Sequence, residues 1–433
     1  MNLTLISSTF LLLPTLKVFP SQIRYIKILL ELLVIYLLTC LFVNLNLEES
    51  YLVFFLSLIL FLTLIYLIKE EFYKVNDKLM GNFEITFFIF LCLLSFFLIL
   101  YCNNIYWSVF TLEIQSFLIF GSCALLKSNN LLKVVEGSLS YIIPGFFSFF
   151  LMLASIYLME ICGKDYIPGN FLLLIAIMIK MGLIPFGLWV NNVVKNLSFN
   201  SIILLTFINK LSILLILVMY FSHLWYILTL CGLASLLFGS VLMVNTPKTK
   251  EMLAYSSIIN SGWLCLLMVA SSNLTIDLES NQTILGLFYL IYILGILIFI
   301  DTNKKKSPFL KDLNNNTLVK KINITNNSLT YAGLLSMSGM PPFTGFIVKY
   351  LILLQVINLF SMNIATIIVS FSIIATFCYI RPIISFSTPE VFKSLKFLGD
   401  KRLQNKIDGL PFHDLILISF SVILLSTIIF IFT

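Results

Sequence analysis

Lys180-Met181-Gly182-Leu183-Ile184-Pro185-Phe186-Gly187-Leu188-Trp189 is the stretch whose reading decides the fold. It lies inside an apolar segment long enough to cross a bilayer, yet it holds a lysine, two glycines and a proline. A lysine near the middle of a membrane helix costs about 2.5 to 3.5 kcal/mol on insertion scales, and a proline removes a helical hydrogen bond. Irregular backbone at membrane depth is tolerated only where protein or a water-filled cavity satisfies the freed groups. The stretch therefore predicts a charged, broken helix facing the inside of a bundle, and Lys180 requires a partner from elsewhere in the chain.

Composition agrees with a membrane bundle. Of 433 residues, 60% are hydrophobic and 11% charged, where a soluble domain carries about 25% charged residues. Cys40, Cys92, Cys102, Cys123, Cys162, Cys231, Cys265 and Cys378 are scattered, with no CxxC pair and no histidine at ligand spacing, and read as small apolar fillers. There is no GxGxxG or GxxxxGK[ST] motif, and His223 and His413 stand alone near segment ends. No cofactor and no metal are expected in this chain. The formal charge of +7 is spread over loops and implies no nucleic-acid partner. The N-terminus is apolar almost from Leu3, without a cleavable-signal pattern or an Arg-rich transit peptide. Abundant Phe, Ile, Leu, Asn and Lys are what AT-rich codons give, a hint of an organellar gene.

Windows of about 20 apolar residues predict roughly fourteen spans: 3–19, 26–45, 51–68, 84–102, 105–126, 138–161, 169–190, 199–220, 224–243, 252–271, 281–300, 329–360, 363–381 and 414–432. The twelfth is too long for one straight crossing and holds Gly339-Met340-Pro341-Pro342, which predicts a second break. Lysines and arginines concentrate in the connections after odd-numbered spans, whereas those after even-numbered spans hold only Lys164. By the positive-inside rule both termini lie outside. The longest polar stretches, 301–328 and 388–413, then fall inside, as solvated connectors or as docking surface for neighbouring subunits.

Lys180 precedes Pro185 in span seven, and Lys349 follows Pro341 and Pro342 in span twelve, five spans later. Five is odd, so a repeat of spans 4–8 onto spans 9–13 would be inverted in the membrane, the architecture in which ion pathways lie near the midplane. The fold class read from the chain is an all-α polytopic membrane protein of about fourteen transmembrane helices, with two inverted five-helix repeats and broken helices seven and twelve. Its parts are an N-terminal three-helix region (1–83), a first repeat (84–222), a second (223–387), and an inner loop with the C-terminal span (388–433).

Glu113, in Thr111-Leu112-Glu113-Ile114-Gln115-Ser116, lies near the middle of span five, where a carboxylate must be protonated, hydrated or paired. Lys180 is its natural partner by depth. The pair reads either as a switch, since separating the partners favours the neutral form of each, or as a static salt bridge that fixes packing. Lys210, flanked on both sides by about ten residues of apolar helix, is too deep to snorkel easily. Lys349 reads as a midplane charge or as one snorkelling to the outer surface. Lysine loses its proton readily when desolvated whereas arginine does not, so three midplane lysines and no midplane arginine fit proton chemistry. Ser256 with Asn260, and Ser257 with Ser261, are spaced i, i+4 on span ten, a stripe for ordered water or for packing between helices. Glu31, four residues after Lys27, reads as an ordinary interfacial pair.

Three stretches carry a resemblance: Lys180 to Trp189; Ala254-Tyr255-Ser256-Ser257-Ile258 with Gly262-Trp263; and Ser338-Gly339-Met340-Pro341-Pro342-Phe343-Thr344-Gly345-Phe346 with Lys349. In order along the chain they resemble the subunit 2 family of the proton-pumping NADH:quinone oxidoreductase, complex I. Glu136-Gly137-Ser138-Leu139-Ser140-Tyr141 looks like that family's EAALKY stretch, and Leu112-Glu113 like its span-five glutamate. Fourteen spans resemble the full-length form of bacteria, plants and protists.

The resemblance implies that Glu113 and Lys180 form the ion pair of a first half-channel, Lys210 a central relay and Lys349 the group of a second half-channel. It implies a proton-translocating membrane-arm subunit whose NADH, FMN, iron–sulfur clusters and quinone belong to other subunits. The implied partners are adjacent antiporter-like and small membrane subunits, accessory subunits and lipids such as cardiolipin. The implied location is the mitochondrial inner membrane with both termini on the intermembrane-space side, or a bacterial plasma membrane. A cation/proton antiporter subunit and a non-pumping structural subunit are the alternatives. The family commonly has histidine where this chain has Gly187 and Asn260, and lysine where it has Ser140. Any proton path here then falls to the lysines and to water held near Ser256, Ser257 and Asn260.

Overall fold

Apolar runs with no water to satisfy their peptide groups become helices, because each helix closes its own hydrogen bonds. The computed structural model describes residues 104–125, 131–163, 166–220, 225–246, 249–273, 278–306, 331–341, 343–359 and 362–396, with scattered positions from 88 to 99. All belong to one unit of the chain that begins at Phe88. The expected spans 3–19, 26–45, 51–68 and 414–432, the Lys27–Glu31 pair and Pro342 lie outside the described residues.

Among the described residues the regular elements are all helical: α1 (Ile105–Leu125), α2 (Leu131–Cys162), α3 (Ile167–Met181), α4 (Trp189–Asn196), α5 (Phe199–Leu204), a π-helical turn (Leu205–Asn209), α6 (Lys210–Tyr220), α7 (Trp225–Val244), α8 (Thr249–Asn273), α9 (Leu278–Lys306), α10 (331–338), α11 (Thr344–Leu359) and α12 (Met362–Lys396). Five stretches among the described residues are long and apolar enough to cross a membrane. α2 and α3 pack together, α7 lies along α8, and α8 also meets α4, α9 and α11.

Several boundaries differ from the sequence expectation for physical reasons. The sixth span is predicted over 138–161, but α2 starts at Leu131. Lys133 and Glu136 suggest loop, yet Val134, Ser138 and Tyr141 are buried at helical spacing while the two charges stay exposed, so the helix continues as an amphipathic turn. The thirteenth span is predicted to end at Arg381, before Pro382, but α12 runs on to Lys396, taking in the first part of the stretch expected to be connector. A proline in a membrane helix costs one hydrogen bond and need not end it. Ala365, Ile368, Ala375 and Tyr379 form the buried stripe of this helix, and Arg381 donates to the carbonyl of Val244 at the end of α7, where the helix dipole favours a cation.

The apolar ordering of a soluble protein is relaxed outward. α2 turns Leu132, Ile143, Phe147, Phe150, Tyr157 and Ile161 out of the bundle. In lipid such a face carries no penalty, and the interior can be given to polar groups. Ile99, Val109, Leu112, Met152, Leu173 and Ile177 lie in one buried apolar cluster, drawn from the helices that also carry the buried Glu113 and Lys180.

Candidate functional site: two helix breaks and a buried lysine series

The first break begins where α3 runs out at Met181. Gly182 takes φ of 74°, a left-handed conformation open to glycine. Its N–H donates to Ile179 O at 3.1 Å, and Leu183 N–H donates to Met178 O at 3.1 Å, the two bonds of a Schellman cap. Residues 183–188, with Pro185 among them, form the turn, and α4 begins at Trp189. The Trp189 indole N–H reaches back to Ile179 O at 3.0 Å, which ties the second half-helix to the last carbonyls of the first. α4 is held in turn on α8, because Asn191 Nδ2 donates to Tyr255 Oη at 3.0 Å. Trp189→Phe removes the indole bond while keeping a ring against Tyr141. We expect a loss of about 1 kcal/mol, read as earlier subunit dissociation in a detergent-melting series with activity retained.

The second break repeats the device. α10 ends at Gly339, φ 76°, whose N–H donates to Ser336 O at 3.3 Å, while Met340 N–H donates to Leu335 O at 3.4 Å. After Pro341 and Phe343, α11 starts at Thr344. Both breaks also carry a second glycine folded against the end of the first half-helix. A Cβ on Gly187 would lie 2.2 Å from Gly182 O, and one on Gly345 would lie 1.9 Å from Ser336 O.

Around these breaks the lysines find different partners. Lys180, in the last turn of α3, is buried and forms a hydrogen-bonded salt bridge with buried Glu113 of α1. Lys349, one turn into α11, donates to Met337 O at 3.0 Å and Ser338 O at 2.8 Å, the terminal carbonyls of α10. Both ammonium groups thus sit at the negative end of a half-helix, where the dipole favours a cation. Lys349 also lies over the Trp263 ring, 5.8 Å from its centroid, and is partly buried inside the bundle.

Lys210 is placed by a feature with no simple sequence signal. Leu205–Asn209 form a π-helical turn immediately before it, the kind of bulge that recurs at functional sites. Side chains from two other helices take up its carbonyls: Gln115 Nε2 donates to Ile208 O at 3.3 Å, and Tyr289 Oη donates to Thr206 O at 3.0 Å. The turn delivers Lys210, buried, to Ser257 O of α8 at 2.7 Å. α1 therefore serves both lysines, through Glu113 on Lys180 and Gln115 on the approach to Lys210. Gln115 Oε1 and Asn209 Oδ1 are buried without a hydrogen-bond partner beside this turn.

The predicted polar stripe is present on α8, but its hydroxyl protons are engaged locally. Ser256, Ser257 and Ser261 bond back to Leu253 O, Ala254 O and Ile258 O, and Asn260 Nδ2 donates to Ser256 O at 2.9 Å. What remains for water on these serines is acceptor lone pairs. Tyr292 and Tyr379, which the sequence reading left out, bring their hydroxyls close to Ser256 and Asn260. Among the described residues no group of three or more His, Cys, Asp and Glu side chains could hold a metal.

With this geometry in view, the comparisons with known proteins become specific. A family model described as NADH:quinone oxidoreductase/Mrp antiporter, TM, matches residues 102–376. The NADH-ubiquinone oxidoreductase chain 2 of Struthio camelus is 33% identical over 223 residues, 51% of this chain and 61% of that one. The alignment thus spans less than two thirds of that relative's length. A chain in the structure of respiratory complex I from Thermus thermophilus superposes with TM-score 0.71 at 18% identity, covering 98% of this chain and 96% of that one. A chain of the Mrp complex from Dietzia sp. does so with TM-score 0.65 at 14% identity, covering 86% and 77%. At these identities the structural likeness is one of fold. The family match takes in both breaks and all of Glu113, Lys180, Lys210 and Lys349, and the chain belongs to the NADH:quinone oxidoreductase/Mrp antiporter membrane-subunit family.

Proposed function

We propose that the chain is a membrane-arm subunit of NADH:quinone oxidoreductase, of the chain 2 type, that translocates protons along Glu113, Lys180, Lys210 and Lys349 with bridging water. The observation that carries this is Lys210: a buried lysine, aimed by a π turn at a main-chain carbonyl in an apolar bundle. It donates to a neutral carbonyl, and among the described residues no carboxylate bridges it, so it is free to exchange a proton as its surroundings change. Glu113 and Lys180 supply the gate. Together they are a neutral pair, and a proton passing from ammonium to carboxylate leaves both partners uncharged. NADH, FMN, iron–sulfur clusters and quinone reside in other subunits, and conformational or electrostatic coupling drives this one.

The reading extends to the whole chain. About fourteen spans, with spans 4–8 and 9–13 as inverted repeats, account for the two matching breaks. The setting is the mitochondrial inner membrane, among antiporter-like and small membrane subunits, accessory subunits and lipids such as cardiolipin. Lys210→Met tests it in the purified, reconstituted complex. We expect NADH-driven pumping to fall at least tenfold with normal assembly; unaltered pumping with normal assembly would remove the relay and favour a structural subunit. Purification without an NADH-oxidising partner would instead favour a cation/proton antiporter subunit.

A further inference from the structure

α7 and α8 touch backbone to backbone. A Cβ on Gly262 would lie 2.9 Å from Gly232 O and 2.2 Å from Ser235 Oγ, and one on Gly232 would lie 3.3 Å from Gly262 O and 3.3 Å from Leu266 Cγ. Further along, Gly239 meets Ile259. The contacts step down α8 as they step up α7, so the two helices run antiparallel. Cys231 immediately precedes Gly232, and Cys265 immediately precedes Leu266, which places the two thiols at nearly the same level of the seam. One step back along a helix turns a side chain by about 100°. In antiparallel helices equal steps back swing both side chains to the same side of the seam. That side is the one α6 covers: Cys265 shares an apolar cluster with Ile213, Ile216 and Leu217, and Cys231 packs against it. Cys265 interacts electrostatically both with Cys231 and with Lys210, the first residue of α6.

Both cysteines are free thiols, Cys265 fully buried and Cys231 partly exposed. We infer that Cys231 and Cys265 form an oxidisable dithiol, which hydrogen peroxide closes to a disulfide across the α7–α8 seam, and that this bridge stops the Lys210 relay. The consequence for pumping rests on the proton-translocation reading; the bridge itself does not. Peroxide is small and uncharged, and the partly exposed Cys231 meets it first. Its thiolate attacks one oxygen, the O–O bond breaks, and the hydroxide that leaves takes up the proton the thiol gave, so that Cys231 becomes a sulfenic acid. The Cys265 sulfur then attacks that of Cys231. The S–S bond forms, the S–O bond breaks, and the departing hydroxide takes the Cys265 proton. Two thiols lose two electrons and one peroxide becomes two waters. The product pins α7 to α8 and removes the thiol beside Lys210.

The complete complex, reconstituted in vesicles, is treated with hydrogen peroxide, its remaining thiols are blocked, and its peptides are read by mass spectrometry. We expect a linked Cys231–Cys265 peptide pair, a fall of at least tenfold in protons pumped per NADH oxidised, and reversal of both by dithiothreitol. Peroxide also reaches other subunits, so Cys231→Ala and Cys265→Ala set the baseline. Each should pump normally before treatment and keep most of its pumping afterwards. Absence of the linked pair overturns the inference, and so does an equal loss of pumping in the variants. Lys210→Met separates the remaining cases. If the pair forms, pumping is unchanged and Lys210→Met abolishes pumping, the bridge does not govern the relay and translocation stands. If Lys210→Met also pumps normally, the translocation reading falls with the inference.

Discussion

Replacing Glu113 by alanine should abolish pumping and sharply reduce the amount of assembled complex, whereas Glu113→Gln combined with Lys180→Met should restore assembly and leave pumping absent. The single change strands the buried Lys180 ammonium in a bundle interior whose apolar cluster includes Leu112, Leu173 and Ile177. Removing one partner of a buried pair costs about 3 to 5 kcal/mol, because the remaining charge is neither solvated nor neutralised. Removing both charges abolishes that penalty and leaves two neutral side chains of similar volume. A static salt bridge and a proton gate therefore give opposite results in the double variant. If the bridge only fixes packing, the double variant both assembles and pumps; if it is a gate, it assembles and does not pump. Quantitative blotting of the native complex, with pumping measured in the same vesicles, separates the two.

Gly187→Ala should be, with Gly345→Ala at the second break, among the most disruptive small substitutions in the described bundle. Its added Cβ would stand 2.2 Å from the carbonyl oxygen of Gly182, and that neighbour is main chain, with no rotamer to yield. Overpacking costs typically about 1 to 3 kcal/mol, and a clash with main chain falls at or beyond the upper end. The turn would have to open, which would pull Trp189 from Ile179 O and disturb the cap next to Lys180. We expect assembled complex to fall to near background. Gly145→Ala is the matched control: it lies within α2 and its added Cβ meets nothing within 4 Å, so it should be neutral or slightly stabilising. Equal effects of the two substitutions would show that the closeness of the break is not what matters. The same crowding bears on the histidine that the resemblance leads one to expect at Gly187. A side chain of any size at this position requires a differently folded turn.

Much of this site was legible because membrane-depth lysines, prolines and glycines are costly, and costly residues announce themselves. Lys180, Lys210 and Lys349 stand out against apolar flanks, and Glu113 follows from the need to balance Lys180. Gly182 and Gly339 mark helix ends because each precedes a proline by two or three residues. The π turn was not legible, since Leu-Thr-Phe-Ile-Asn over 205–209 reads as ordinary apolar helix. The extra residue in that turn is stabilised by Gln115 and Tyr289, which come from 93 and 83 residues away, and no local pattern encodes such partners. Tyr292 and Tyr379 were missed for a related reason. A tyrosine in an apolar helix looks like core until a tertiary contact shows its hydroxyl facing a polar neighbour.

The π turn also has a meaning as angular phase. Each residue of an α-helix advances the side chains by 100°, so one extra residue of backbone ahead of α6 rotates everything after it by about that angle relative to α5. Lys210 is the first residue past the offset, and its direction is set by that single inserted step. Two related chains could then carry the same lysine in an otherwise matching helix and aim it at different neighbours. Length conserved to one residue across 205–209 matters more for this site than the identity of any residue within it.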